Sequence, residues 1–110
     1  MDKKLALLAF AALGQDTRLD VFRLLVQAGP QGMAAGDIAA KLDIVSNTMS
    51  SHLKVLSHSG LVHSERYGRT IRYAADMTGF RDLLAYLMED CCNGAPELCR
   101  PVIDAVTCNC

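Results

Sequence analysis

The 110-residue chain has no tryptophan and only three tyrosines and three phenylalanines. Single-stranded nucleic acids are held largely by stacking on aromatic faces, so a chain this poor in them is no single-strand platform. The formal net charge is −1, which excludes a uniformly basic coat but leaves room for a local basic patch. Long hydrophobic runs are missing: the longest, Leu5 to Leu13, has nine residues, against the roughly 20 that span a bilayer. No small-residue cleavage site behind a signal segment is evident, and the expected location is cytoplasmic, away from membranes. Cysteine is absent from the first ninety residues; all five, Cys91, Cys92, Cys99, Cys108 and Cys110, lie in the last twenty. A disulfide scaffold spreads its cysteines through the fold it staples, and five is an odd number. A thiolate site in a reducing compartment is therefore expected rather than a framework of bridges.

What is present suffices for one collapsed domain: 51% of residues are hydrophobic and 21% charged. A lone chain of this length buries only about 60–70% of its surface, so packing against a second copy would add to the core. Residues 3–13, KKLALLAFAAL, are apolar on nearly every face, the mark of a helix buried all round. Gly14 ends it. Asp16 or Thr17 is placed to cap a second helix whose apolar face carries Leu19, Phe22, Leu24, Leu25 and Val26, stopped by Gly29-Pro30. A short helix from Ala35 to Leu42 turns Ile38, Ala39 and Leu42 inward. After a tight connection, Ser46 or Asn47 is placed to cap a helix to about Ser57, with Met49, Leu53 and Leu56 spaced four and three apart on its inner face. The period then changes. Two short β-prone runs, Leu61–Arg66 and Thr70–Ala74, flank Tyr67-Gly68-Arg69 and predict a hairpin. Helical spacing returns from Thr78, the expected cap, to Cys92, with Phe80, Leu83, Leu84, Leu87 and Met88 on one stripe; Asn93-Gly94-Ala95-Pro96 breaks it. Val102, Ile103 and Val106 follow, enough for one helical turn. The expected fold is mostly α with a small β-hairpin: a homodimeric winged helix-turn-helix.

The residues that carry this order also carry a resemblance. Asp16-Thr17-Arg18-Leu19-Asp20-Val21-Phe22-Arg23-Leu24-Leu25, Asp37-Ile38-Ala39, Ser50-Ser51-His52-Leu53-Lys54-Val55-Leu56, Gly60-Leu61-Val62 and Gly68-Arg69-Thr70-Ile71-Arg72-Tyr73 resemble the ArsR/SmtB family of metalloregulatory repressors over roughly residues 5–92. The resemblance implies a homodimer that binds an inverted-repeat operator of double-stranded DNA and leaves it when a soft metal ion binds. It divides the chain into a DNA-binding and dimerisation domain, residues 1–92, and a cysteine-rich tail, 93–110. The expected dimer contacts are residues 3–13 and 78–92. Many arsenic- and cadmium-type members carry a Cys-Val-Cys pair where this chain has Leu42-Asp43-Ile44-Val45, without cysteine. The chain instead resembles a subgroup whose thiols follow the last dimer helix. Zinc-sensing members carry His and Asp ligands on that helix; here residues 78–92 offer Asp82, Glu89 and Asp90 but no histidine, which disfavours zinc sensing.

The charge is unevenly placed. Residues 44–75 hold Lys54, Arg66, Arg69 and Arg72 against Glu65, a balance of +3, so the remaining 78 residues sum to −4. Basic solvated faces are common, but this one coincides with the predicted reading helix and wing. Ser46, Asn47, Thr48, Ser50, Ser51 and His52 at the head of that helix are short enough to reach base edges and phosphates. Lys54 on the helix, and Arg66, Arg69 and Arg72 around the hairpin, are candidates for phosphates or a minor groove. His52 and His58 are six apart, the wrong spacing for one helical face, so a role toward solvent or DNA is expected of the histidines rather than metal ligation.

Thiolates select soft ions. Trivalent arsenic and antimony take three sulfurs in a pyramid, and Cys91, Cys92 and Cys99 are the expected ligands, with Cys108 and Cys110 as further candidates. Cys91 and Cys92 point about 100° apart on an ideal helix, so both meet one ion only where the helix frays; Asn93, Gly94 and Pro96 supply the break. Arsenite or antimonite is the expected inducer. Tetrahedral cadmium, zinc or lead, with Cys108 and Cys110 included, comes second, and a thiol-redox switch third. An incidental thiol-bearing tail fits poorly with such clustering. So does an enzyme: no histidine neighbours the cysteines, no Gly-rich phosphate loop occurs, and no catalytic cofactor is implied.

Overall fold

A computed structural model describes residues 1–89 and 96–106 of the chain. Helix α1 (Lys3–Leu13) begins at Asp2, whose carboxylate accepts from the Leu5 N–H, and ends at Gly14. The chain buries only a stripe of small residues on it, Ala6, Ala9 and Ala12, and leaves Leu5, Leu7, Leu8 and Phe10 exposed. Burial all round, expected from composition, is thus not reached within one subunit. Alanine lets α1 lie close to its neighbours, and the large side chains project from the other faces.

Helix α2 (Asp16–Ala28) is capped by Gln15, not by Asp16 or Thr17: Gln15 is extended and its amide oxygen accepts from the Arg18 N–H at 2.8 Å. Arg18 then reaches back to α1, donating from Nε to the Ala12 carbonyl at 2.7 Å and from a terminal nitrogen to that of Ala11 at 3.4 Å. Those are carbonyls of the last helical turn, which lack intrahelical partners. Val21, Phe22 and Leu25 are buried, while Leu19 and Val26, expected to face inward, are exposed. The inner stripe is therefore rotated toward Val21.

A two-residue strand, β1 (Met33–Ala34), precedes α3 (Ala35–Leu42). Two residues are too few for a period-two pattern to show. Asp43, at φ 55, makes the left-handed turn into α4 (Ser46–His58), a conformation an Asp side chain tolerates. Met49, Leu53 and Leu56 of α4 are buried, as their spacing predicts, and Ile38 and Ala39 of α3 lie in the same core. The helix itself starts at Ser46, with Val45 in the cap position and no side-chain cap.

Strands β2 (Val62–Tyr67) and β3 (Thr70–Ala75) form the hairpin, and β1 adds on the far side of β3, giving the antiparallel order β1-β3-β2. The turn has two central residues, with Gly68 at φ 64 in the first, the requirement of a type II′ turn matched to strand twist. Only Val62 of β2 is buried; the rest of that strand projects into solvent.

Helix α5 (Met77–Leu87) is capped by Asp76, not Thr78: the carboxylate accepts from the Gly79 N–H at 2.9 Å, and the Asp76 N–H donates to the Leu61 carbonyl at 2.8 Å. Leu83 is buried and Phe80 packs on Phe22 with ring centroids 5.3 Å apart, whereas Leu87 is exposed. The predicted stretch 90–92 of this helix lies outside the described residues. Helix α6 (Pro96–Val106) runs for 11 residues rather than one turn. Proline is well tolerated in its first position, where no amide donor is needed, although Pro101 removes one donor further on.

The start of α5 rests directly on the turn that ends α4. A Cβ on Gly79 would overlap the Gly60 carbonyl oxygen. Gly79→Ala gains about 1 kcal/mol of helix propensity but forces backbone apart at a cost of about 1–3 kcal/mol, so a net loss and a lower melting temperature are expected. Gly36, inside α3, has open space around its missing Cβ, and Gly36→Ala should raise the melting temperature. Calorimetry of the two variants checks the opposite signs; a stabilising Gly79→Ala would contradict the close contact.

Candidate nucleic-acid interface

Burial of Met49, Leu53 and Leu56 fixes the rotation of α4 about its axis. Asn47, Ser50, Ser51 and Lys54, spaced as one helical stripe, are thereby exposed, as are Ser46 and Thr48 beside them. Ser51 partly satisfies itself, its hydroxyl donating to the Asn47 carbonyl at 3.3 Å. The uncapped first turn of α4 leaves amide donors without an intrahelical acceptor, the groups that contact phosphates at helix N-termini.

His52 differs from its neighbours. It is half-buried, and burial first, then the positive charge of Arg18, hold its imidazole below the ordinary value of 6.5. The reading helix therefore presents a neutral ring at neutral pH, able to donate and accept.

The wing divides its charges. Arg66 and Arg69 are exposed and make no hydrogen bond or ion pair among the described residues, so both guanidiniums are free to meet a polyanion. Arg72 is not placed like them. Its Nε donates to the Gln31 carbonyl at 2.9 Å and a terminal nitrogen to that of Gly32 at 2.8 Å, clamping β3 to the turn after α2. No spacing in the sequence signals that clamp, because its acceptors are backbone carbonyls some forty residues away. Arg18, which joins α1 to α2 and faces His52, was likewise not singled out from sequence. Tyr67 donates to Glu65 at 2.8 Å, and this bond, with the carboxylate charge, raises the phenol above its ordinary 10.0. His63 sits at the base of the wing with Nδ1 3.8 Å from an Asp76 carboxylate oxygen.

Of the predicted thiol ligands, Cys91, Cys92, Cys108 and Cys110 lie outside the described residues. Cys99, on α6, is buried at 7% exposure and is disulfide-bonded. Free thiolates were expected, and at Cys99 that expectation does not hold. Among the described residues no group of three or more His, Cys, Asp or Glu side chains is arranged to hold a metal ion, and no helix is long and apolar enough to cross a membrane.

The lowered imidazole of His52 has a consequence for stability. An unfolded chain binds a proton there more readily than the folded one, so folding stability should fall as pH drops below 6.5. Above that value both states are neutral and the term vanishes. His52→Gln should flatten the acid side of the stability profile measured by urea unfolding; an unchanged slope would remove His52 as its source.

Residues 13–65 match a family model described as a helix-turn-helix domain, a stretch running from the end of α1 into the wing. The transcriptional repressor SdpR of Bacillus subtilis (strain 168) is 30% identical over 79 residues, covering 72% of this chain and 84% of that protein. Among solved structures, an ArsR-like transcriptional regulator from Rhodococcus sp. RHA1 superposes with a TM-score of 0.69 at 28% identity, over 97% of this chain and 96% of the other. A homodimeric winged helix-turn-helix DNA-binding domain from Mycobacterium bovis gives 0.65 at 26% identity, over 79% and 80%. With the helix-turn-helix, the wing and this level of identity in agreement, the chain belongs to the ArsR family of winged helix-turn-helix transcriptional regulators.

Proposed function

We propose that this protein is a homodimeric transcriptional repressor that grips a two-fold-symmetric operator with α4 and the wing. The observation that carries the reading is the polar stripe of α4, unused by the fold, beside the unpaired Arg66 and Arg69. The exposed Leu5, Leu7, Leu8 and Phe10 of α1 and Leu87 of α5 supply apolar surface for the partner subunit. A two-fold dimer then sets its reading helices about 34–36 Å apart, one turn of DNA.

The inducer is trivalent arsenic or antimony, held by Cys91, Cys92 and Cys99. Support comes from the clustering of all five cysteines in the last twenty residues and from the burial of Cys99, which shields a thiolate–ion bond from water. A disulfide sulfur cannot act as a thiolate, so the chain must be reduced before it can respond. An ion releases DNA only if it binds the free dimer more tightly than the bound one; a coupling of about 1–3 kcal/mol lowers operator affinity roughly 5–150-fold.

Fluorescence anisotropy on an operator selected from random duplexes tests both parts. Affinity should fall steeply with salt, and Arg69→Ala should make the slope of log K against log salt shallower by about one per subunit while leaving sequence preference intact. Asn47→Ala should alter preference instead. Arg72→Ala should lower the melting temperature, by about 1 kcal/mol of stability for the lost carbonyl bonds. With reduced protein, arsenite and antimonite should release the operator, and Cys91→Ser or Cys99→Ser should abolish release without weakening DNA binding. Release of the Cys91→Ser protein at the same arsenite concentration, or release by cadmium, zinc or peroxide alone, refutes the metalloid assignment.

A further inference from the structure

The end of α2, the base of the wing and the start of α5 enclose an open cavity of about 610 Å³. This volume lies within the range of small-molecule sites, roughly 300–1,000 Å³. Its floor and walls are apolar: Leu25 and Ala75 are buried, and Val26 and Met77 present exposed side chains to it. Its polar groups are of one sign. Glu65 and Asp76 contribute carboxylates, no lysine or arginine lines it, and His63 is the one imidazole.

Neither carboxylate is paired with a lysine or arginine among the described residues; the one basic side chain beside them is His63, next to Asp76. One oxygen of Glu65 accepts from Tyr67, and the other accepts no hydrogen bond among the described residues. Arg72 stands opposite Glu65 in the strand register, but its guanidinium goes to the Gln31 and Gly32 carbonyls. Asp76 caps α5 with one oxygen and turns the other toward His63, 3.8 Å away. The lining also includes Leu25, Val26 and Gly29 at the C-terminal end of α2, the end at which the aligned peptide dipoles leave partial negative charge. Two carboxylates and a helix C-terminus over an apolar floor repel anions and attract cations. A bare metal ion is poorly matched, since no three ligating side chains converge among the described residues.

We propose that this cavity binds a small organic cation, an amine carrying an apolar body of aromatic or branched-alkyl size. The body covers Leu25, Val26 and Ala75, and the ammonium lies between Glu65 and Asp76. The site is separate from the cysteines and does not depend on the metalloid reading.

Calorimetric titration of the full-length protein near pH 7.5, without DNA, tests it with three probes of one shape: 3-phenylpropylammonium, 3-phenylpropanol and 3-phenylpropanoate. The ammonium should bind about tenfold more tightly than the alcohol, the ratio expected for two half-exposed charge contacts, and the carboxylate most weakly. The double variant Glu65→Gln, Asp76→Asn should erase the advantage of the ammonium and leave the alcohol unchanged; asparagine still caps a helix, so the fold is kept. Val26→Trp, at an exposed position, should fill the cavity and block every probe, with circular dichroism confirming the fold. Three equal affinities, no binding at millimolar probe, or an ammonium preference that survives in the double variant overturns the proposal. The readout uses neither operator nor thiol ligand, so its failure and a failure of the repressor reading are separate results.

Discussion

Three working parts of the molecule meet at one backbone contact, Gly79 against the Gly60 carbonyl. Gly60 ends the turn after α4, Leu61 leads into the wing and accepts from the Asp76 N–H, and Asp76 caps α5. No side chain stands between these segments to give or repack. A tilt of α5 therefore moves the end of the reading helix and the root of the wing together, because packed backbone shifts as a body rather than deforming. In the proposed dimer, with α5 at the subunit contact, this would make subunit geometry and DNA-reading geometry one variable. Any effector that favours one arrangement of α5 then acts on both wings and both reading helices through a path only a few residues long.

The rotation of α4 is the second constraint. Apolar side chains at positions 49, 53 and 56 select one face for the core, and the polar stripe follows as the remaining surface. Stability and recognition are thus separate on this helix: Asn47 and Ser50 are exposed, and Leu53 is buried. On α2 the division is less clean, since Arg18 closes the end of α1 and also adds to the effect of burial in lowering the imidazole of His52 on the reading helix.

Periodicity made most of the architecture legible. Helices α2 to α5 and the hairpin were readable because each buries a face against the same core, so apolar residues recur at the period of the element. Caps were less readable. Gln15, Val45 and Asp76 occupy the positions expected of Asp16, Ser46 and Thr78, because several polar residues stand at each boundary and backbone geometry outside the helix chooses among them. Strand β1 is too short to show a pattern, and α6 has only the short apolar run Val102, Ile103 and Val106 to mark its 11 residues. At the wing, Arg66 and Arg69 are exposed, as their residue type leads one to expect. Residue type could not separate them from Arg72, whose partners are carbonyls with no sequence signature. Clustered cysteines pointed to free thiolates, and the disulfide at Cys99 departs from that because sequence clustering does not distinguish a ligand set from a bridge.

Strand alternation separates neighbouring opposite charges onto the two sides of one thin hairpin in a chain of formal net charge −1. Register pairs Arg66 with Ile71 and Ser64 with Tyr73, on the face that begins with Val62 and Ala75. The other face carries His63, Glu65 and Tyr67 opposite Ala74, Arg72 and Thr70. Successive residues point to opposite faces, so adjacent Glu65 and Arg66 are held apart although they are neighbours in sequence. A slip of one residue would exchange the faces, turning Arg66 to the side where Glu65 now stands and Glu65 to the other. The two-residue turn at Gly68 prevents that slip, since a turn of this kind permits a single register. The glycine at the wing tip thereby fixes which side of the wing carries Arg66 and which carries Glu65 with Arg72 opposite it.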